Sequence, residues 1–118
     1  MADQIQYAVR WKIHDGKLEE FKALAAEATA LVKANEPDML GYHWYFDASE
    51  TTCTLIEQYP SAGHILVHLG NVGEALGKLV EVSDISIDVF GAIDDEARAA
   101  LDPLGAVYHD HLTGFSRY

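Results

Sequence analysis

Apolar and polar residues alternate without a break over residues 5–13. Ile5, Tyr7, Val9, Trp11 and Ile13 lie on one side, and Gln6, Arg10 and Lys12 on the other. A period of two marks a strand with one buried face. The period then changes: Leu18, Phe21, Leu24, Ala25, Ala28, Leu31 and Val32 recur at helical spacing. Asp15 is the candidate N-cap of this helix, and Asn35 with Pro37 stops it. Alternation returns in "MLGYHWYFD", with Leu40, Tyr42, Trp44 and Phe46 against His43 and Tyr45. After the turn "ASET", the strand "TCTLIEQYP" carries Cys53, Leu55, Glu57 and Tyr59 on one face, so the two strands form a hairpin. A short helix from about Ser61 and a separate, glycine-punctuated helical stretch, "NVGEALGKLVEV", are predicted next. The strand "DISIDVFGA" follows, with Ile85, Ile87 and Val89 alternating against Ser86, Asp88 and Phe90.

The order β-α-β-β-α-β predicts an α+β, ferredoxin-like domain with an antiparallel sheet over residues 1–91. Residues 92–118 form a C-terminal extension: a short helix within "DDEARAAL", stopped by Pro103 and Gly105, then an extended tail, "AVYHDHLTGFSRY". The tail is too apolar to hang free and is expected to pack on its own domain or across a dimer. Strands two and three carry aromatic and aliphatic residues on both faces, so the sheet should be covered twice. Helices supply one cover and a second copy of the chain the other, which predicts a homodimer.

Composition narrows the partners. The 118 residues, 49% of them hydrophobic, suffice for one domain with a real core. A formal net charge of −11 repels phosphate backbones and anionic lipid heads, so neither nucleic acid nor a membrane surface is expected. Cys53, the only cysteine, forms no intrachain disulfide and no thiolate cage. With no signal-like start and no bilayer-length apolar run, a cytoplasmic protein is expected.

The candidate chemistry is carried by histidines, aromatics and one acid. "SAGHILVHL" places His64 and His68 four apart on a helix, His64 pointing away from the apolar face and His68 at its edge. A metal site would need a third ligand, such as His109 or His111. With six histidines in the chain such a pair arises by chance, and no metal is expected. Glu57 shares a strand face with Leu55 and Tyr59. It is either a base whose pKa burial raises, or a structural acid paired with Arg10 or Lys12. His43 and Tyr45 share a face and would line a cavity with Tyr59.

"ANEPDMLGYHWYFD" and "TLIEQYPSAGHILVHL" together resemble the antibiotic biosynthesis monooxygenase family of dimeric α+β barrels, over roughly residues 4–91. That family has a Glu-Pro-Gly turn before strand two, a Glu-x-Trp closing strand three, and a helix with alanine and, four residues on, histidine. Glu36, Pro37, Glu57 and His68 match; Asp38, Tyr59 and His64 replace the glycine, tryptophan and alanine. The resemblance implies a monooxygenase that needs neither metal nor flavin and oxidises a phenolic, hydroquinone or polyketide-like aromatic with O₂. Such chemistry needs a base, donors for the substrate oxygens and flat apolar walls. His68, His43 and Glu57 are the catalytic candidates, and Tyr45, Tyr59, Trp11 and Trp44 the pocket candidates. Haem-degrading relatives carry an asparagine on the first strand, which "IQYAVRWKI" lacks. The alternative on the same scaffold is a non-enzymatic, small-ligand-binding or stress-associated dimer.

Overall fold

The computed structural model describes residues 5–117. Strand β1 (Ile5–Ile13) leads to helix α1 (Leu18–Asn35), a hairpin of β2 (Gly41–Phe46) and β3 (Thr52–Tyr59), helix α2 (His64–Val82) and strand β4 (Ser83–Phe90). A short helix α3 (Asp95–Leu101), a 3₁₀ turn (Asp102–Leu104) and strand β5 (Val107–His109) complete the chain. The sheet order is β2-β3-β1-β4-β5, antiparallel except for β5, which pairs parallel with β4. This is the ferredoxin-like α+β arrangement with one added edge strand.

The predicted alternation of β1 is observed residue by residue, with Ile5, Tyr7, Val9, Trp11 and Ile13 buried. As the central strand of the first four it pairs on both sides, so its apolar face becomes the core floor. Helix α1 lays Phe21, Leu24, Ala28 and Val32 on that floor, each at helical spacing. Its start differs from expectation. Asp15 does not cap it; Gly16 turns at φ 78° and Lys17 occupies the cap position without a side-chain hydrogen bond. Acidic Glu19 and Glu20 face the positive end of the helix dipole instead.

Helix α2 is one continuous helix, not a short helix and a separate segment. Its inner face runs unbroken through Ile65, His68, Val72, Ala75, Leu79 and Val82, while Gly70, Gly73 and Gly77 lie on the open side with nothing packed above them. Burial of the apolar stripe, worth about 1.5–3 kcal/mol for each fully buried large side chain, outweighs glycine costs of about 1 kcal/mol each. The helix passes into β4 without a loop, and the buried Ser83 hydroxyl donates to the Leu79 carbonyl at 2.6 Å.

Both helices cover the same sheet face. On the other face, within a single chain, His43 and Tyr45 are solvent-exposed, Tyr45 at 56%. After β4, Asp94 caps α3 by accepting from the Ala97 N–H at 2.8 Å. The tail docks on its own domain through β5 only; residues 110–117 are exposed, Leu112 at 93%. No helix among the described residues is long and apolar enough to cross a membrane.

Candidate active site

Three segments distant in sequence bring four polar side chains together under the helices. Glu36 follows the last residue of α1, where its N–H still bonds the Val32 carbonyl at 2.8 Å and Pro37 prevents the helix continuing. Its carboxylate meets His68 of α2, with Nδ1 3.0 Å from Oε2 and 3.2 Å from Oε1. The other ring nitrogen of His68, Nε2, lies 3.1 Å from Oε1 of Glu57 on β3. The Tyr59 hydroxyl donates to that same oxygen at 2.6 Å. All four side chains are buried, with Glu57 at 3% and His68 at 5% exposure.

The proton inventory follows from this geometry. A neutral imidazole has one N–H, yet each ring nitrogen here faces a carboxylate. The arrangement is satisfied when both nitrogens carry protons. Burial pulls the His68 pKa down, but the Glu57 and Glu36 carboxylates outweigh it and hold it above the ordinary value of 6.5. Neither buried carboxylate is then left without a cationic neighbour, which would cost several kcal/mol. Arg10 and Lys12, the alternative partners of Glu57, are exposed on the opposite sheet face.

Sheet register adds two tyrosines. Glu57 pairs directly with Tyr7 of β1 on one side and Tyr42 of β2 on the other. Burial, reinforced by the Glu57 charge, pushes the pKa of both phenols far up. The same causes raise Tyr59. All three therefore act as donors and not as bases at neutral pH. The rings of Tyr42 and Tyr59 meet the His68 imidazole edge-on, at centroid distances of 5.7 and 5.5 Å.

Glu57, His68, Tyr7 and Tyr42 form one side of a partly open cavity of about 40 Å³ between sheet and helices. Val9, Leu55, Val72 and Leu79 line it elsewhere, and Trp11 and Trp44, stacked at 5.8 Å, form a flat wall. Trp44 is held by a 2.9 Å hydrogen bond from its indole N–H to Thr29. The Tyr7 hydroxyl and the Trp11 indole N–H are buried without a partner among the described residues. An unsatisfied buried donor costs about 1–3 kcal/mol, so two on the walls of one cavity are notable.

The structure thus brings together Glu57, His68, Tyr59, Trp11 and Trp44. It does not bring in His43 or Tyr45, which sit on the outer face of β2, their rings 6.2 Å apart. They cannot share a cavity with Tyr59, because β2 and β3 pair so that Tyr42 and not His43 stands beside Glu57. His64 and His68 do not act as a metal clip. His64 contacts Ser61 and Asp38, while both nitrogens of His68 are taken by carboxylates. His109 bonds Asp88 at 2.9 Å on the surface, and His111 is exposed. Cys53 is buried, with its thiol pKa pushed up to about 11 by burial. Glu36, Tyr7 and Tyr42 are the site residues that sequence reasoning passed over, one as a turn residue and two as plain core.

The profile of the family described as antibiotic biosynthesis monooxygenase matches residues 6–73, and the chain belongs to that family. Its matched span includes Glu36, Glu57, Tyr59 and His68, the four members of the buried cluster. Among solved structures it is similar to MupZ from Pseudomonas fluorescens, at 24% identity and a TM-score of 0.84, over 98% of this chain and 95% of that one. It is also similar to SnoaB, a cofactor-independent oxygenase from Streptomyces nogalater, at 18% identity and a TM-score of 0.67. That match takes in 79% of this chain and 96% of SnoaB. Rv0793 from Mycobacterium tuberculosis matches at 17% identity and a TM-score of 0.68, over 78% of this chain and 97% of its own. No curated protein sequence matches the chain.

Proposed function

We propose that this protein is a cofactor-independent oxygenase that oxidises a phenolic, hydroquinone or polyketide-like aromatic with O₂. The observation that carries the reading is the buried Glu36–His68–Glu57 array on the wall of an otherwise apolar cavity. Glu57 Oε1 is occupied by Tyr59 and His68, which leaves Oε2 as the atom to take a proton from substrate. The substrate oxyanion that results accepts a hydrogen bond from the unpartnered Tyr7 hydroxyl, the cross-strand neighbour of Glu57. His68 and Glu36 adjust to the proton on Glu57 by shifting a proton between themselves, towards the turn at the end of α1.

The substrate anion then gives one electron to O₂, and the radical pair recombines to a peroxide anion on carbon. Glu57 returns its proton to that peroxide, and loss of water, which takes the hydrogen on the same carbon and breaks the O–O bond, leaves a carbonyl. No protein group changes oxidation state, so the protein's part is deprotonation, anion stabilisation and exclusion of water. Trp11 and Trp44 supply the flat wall against which an aromatic ring lies. The reading includes a homodimer that covers the outer sheet face carrying Tyr45 and Ile56, and action in the cytoplasm on a small molecule. Light scattering at micromolar concentration tests the dimer.

Oxygen uptake by metal-stripped protein over a panel of hydroquinones and anthrones tests the chemistry. Glu57→Gln is expected to lower turnover by at least about 100-fold, within the range for a lost general base. Full activity in Glu57→Gln, or no uptake by the wild type across the panel, would count against the oxygenase and in favour of a ligand-binding dimer.

A further inference from the structure

Two of the side chains that line the cavity, Leu101 and Leu104, come from outside the β-α-β-β-α-β framework. Leu101, on α3, is 1% exposed, and Leu104 in the following 3₁₀ turn is half-buried. The segment that carries them is strapped down on both sides. Asp94 caps α3, the Tyr108 hydroxyl bonds Asp102, the Arg98 guanidinium lies 4.3 Å from the Tyr108 ring centroid, and β5 pairs with β4. Gly105, at φ 77°, makes the reversal from the 3₁₀ turn into β5, a conformation that a side chain would strain.

SnoaB and Rv0793 are matched almost whole while about a fifth of this chain is left over. That remainder is close in size to residues 91–118. The match to MupZ, by contrast, takes in nearly the entire chain.

The acid–base cluster lies over β3, and the strap lines the cavity from the β4 side. These strands are two steps apart in the sheet, about 10 Å at the usual spacing. We propose that Leu101 and Leu104 are specificity-determining residues: they end the cavity on the β4 side and restrict it to a compact phenol, excluding longer fused-ring ligands. The proposal rests on the cavity being the substrate site. With both leucines in place the cavity is partly open and holds about 40 Å³, so an aromatic ring enters only as this apolar boundary yields, and the longer the ligand the more it must yield. Shortening Leu104 lengthens the space available to a ligand anchored at Glu57, and lengthening Leu104 removes it.

The test is equilibrium binding of 1-naphthol and of anthrone to the full chain, followed by fluorescence under anaerobic conditions so that no turnover is needed. The wild type is expected to bind 1-naphthol at least ten-fold more tightly than anthrone. Leu104→Ala should raise anthrone affinity ten-fold or more and change 1-naphthol by less than three-fold, while Leu104→Phe should weaken 1-naphthol. Leu104 is only half-buried, so it carries the test if Leu101→Ala fails to fold. Equal wild-type affinity for the two probes, an equal shift of both in Leu104→Ala, or no binding by either protein overturns the proposal. An oxygenase that fails to turn over while the size selection holds would sink the chemistry and leave the specificity residues standing.

Discussion

The two faces of the sheet carry the same residue types to opposite ends. On the outer face His43 and Tyr45 stand 6.2 Å apart in solvent; against the inner face Tyr59 of β3 and His68 of α2 stand 5.5 Å apart in the core. Among the described residues the outer pair forms no hydrogen bond or ion pair with a carboxylate. The inner pair is held by Glu57 and Glu36, and burial magnifies each of those interactions. A histidine beside a tyrosine is therefore not a site. It becomes one when water is excluded and charged partners are fixed on both sides.

The largest expected contrast is in stability. His68→Ala removes the cation between two buried carboxylates and should cost about 3–5 kcal/mol in urea unfolding. His43→Ala should stay within about 0.5 kcal/mol. Similar costs for the two would mean that the inner cluster is hydrated and not buried.

A second contrast is pH dependence. The folded pKa of His68 lies above its unfolded value of 6.5. Its stabilising contribution is thus fully present below that value and lost as pH rises through the raised folded pKa. The stability difference between wild type and His68→Gln should shrink over that upward window. A wild-type advantage that grew with pH would reverse the assignment of His68 as imidazolium.

The most informative change in function is Tyr7→Phe. The hydroxyl is a buried donor with no partner among the described residues, so its removal should leave stability unchanged or raise it by up to about 1–3 kcal/mol. Oxygen uptake should nevertheless fall, because the donor to the substrate oxyanion is gone. Unchanged uptake would remove Tyr7 from the proposed chemistry.

How much of this could be read from the chain differs by element. The alternation of β1 and the stripe of α1 needed no tertiary information, because each buries a face whose period is its own. The extent of α2 was hidden by three glycines, whose local cost is overridden by contacts made only in the folded state. The inward face of β2 was ambiguous because both sides are aromatic; the register that sets Tyr42 beside Glu57 decides it. Glu57 and His68 stood out as a polar residue on an apolar strand face and a histidine at the edge of an apolar helix face. Glu36 did not, since its meeting with His68 spans 32 residues and leaves no periodic trace.

The uninterrupted passage from α2 into β4 has a mechanical consequence. Val82 is the last helical residue and Ser83 the first of the strand, pinned by the Ser83–Leu79 bond and by the His14 N–H on the Val82 carbonyl at 2.9 Å. With no slack at that junction, α2 cannot tilt or slide without dragging the sheet, and His68 is held on the stiff side of the molecule. Compliance is left to the parts joined by turns, so the cavity deforms by moving its apolar boundary while His68 and its partner Glu57 on β3 keep their places.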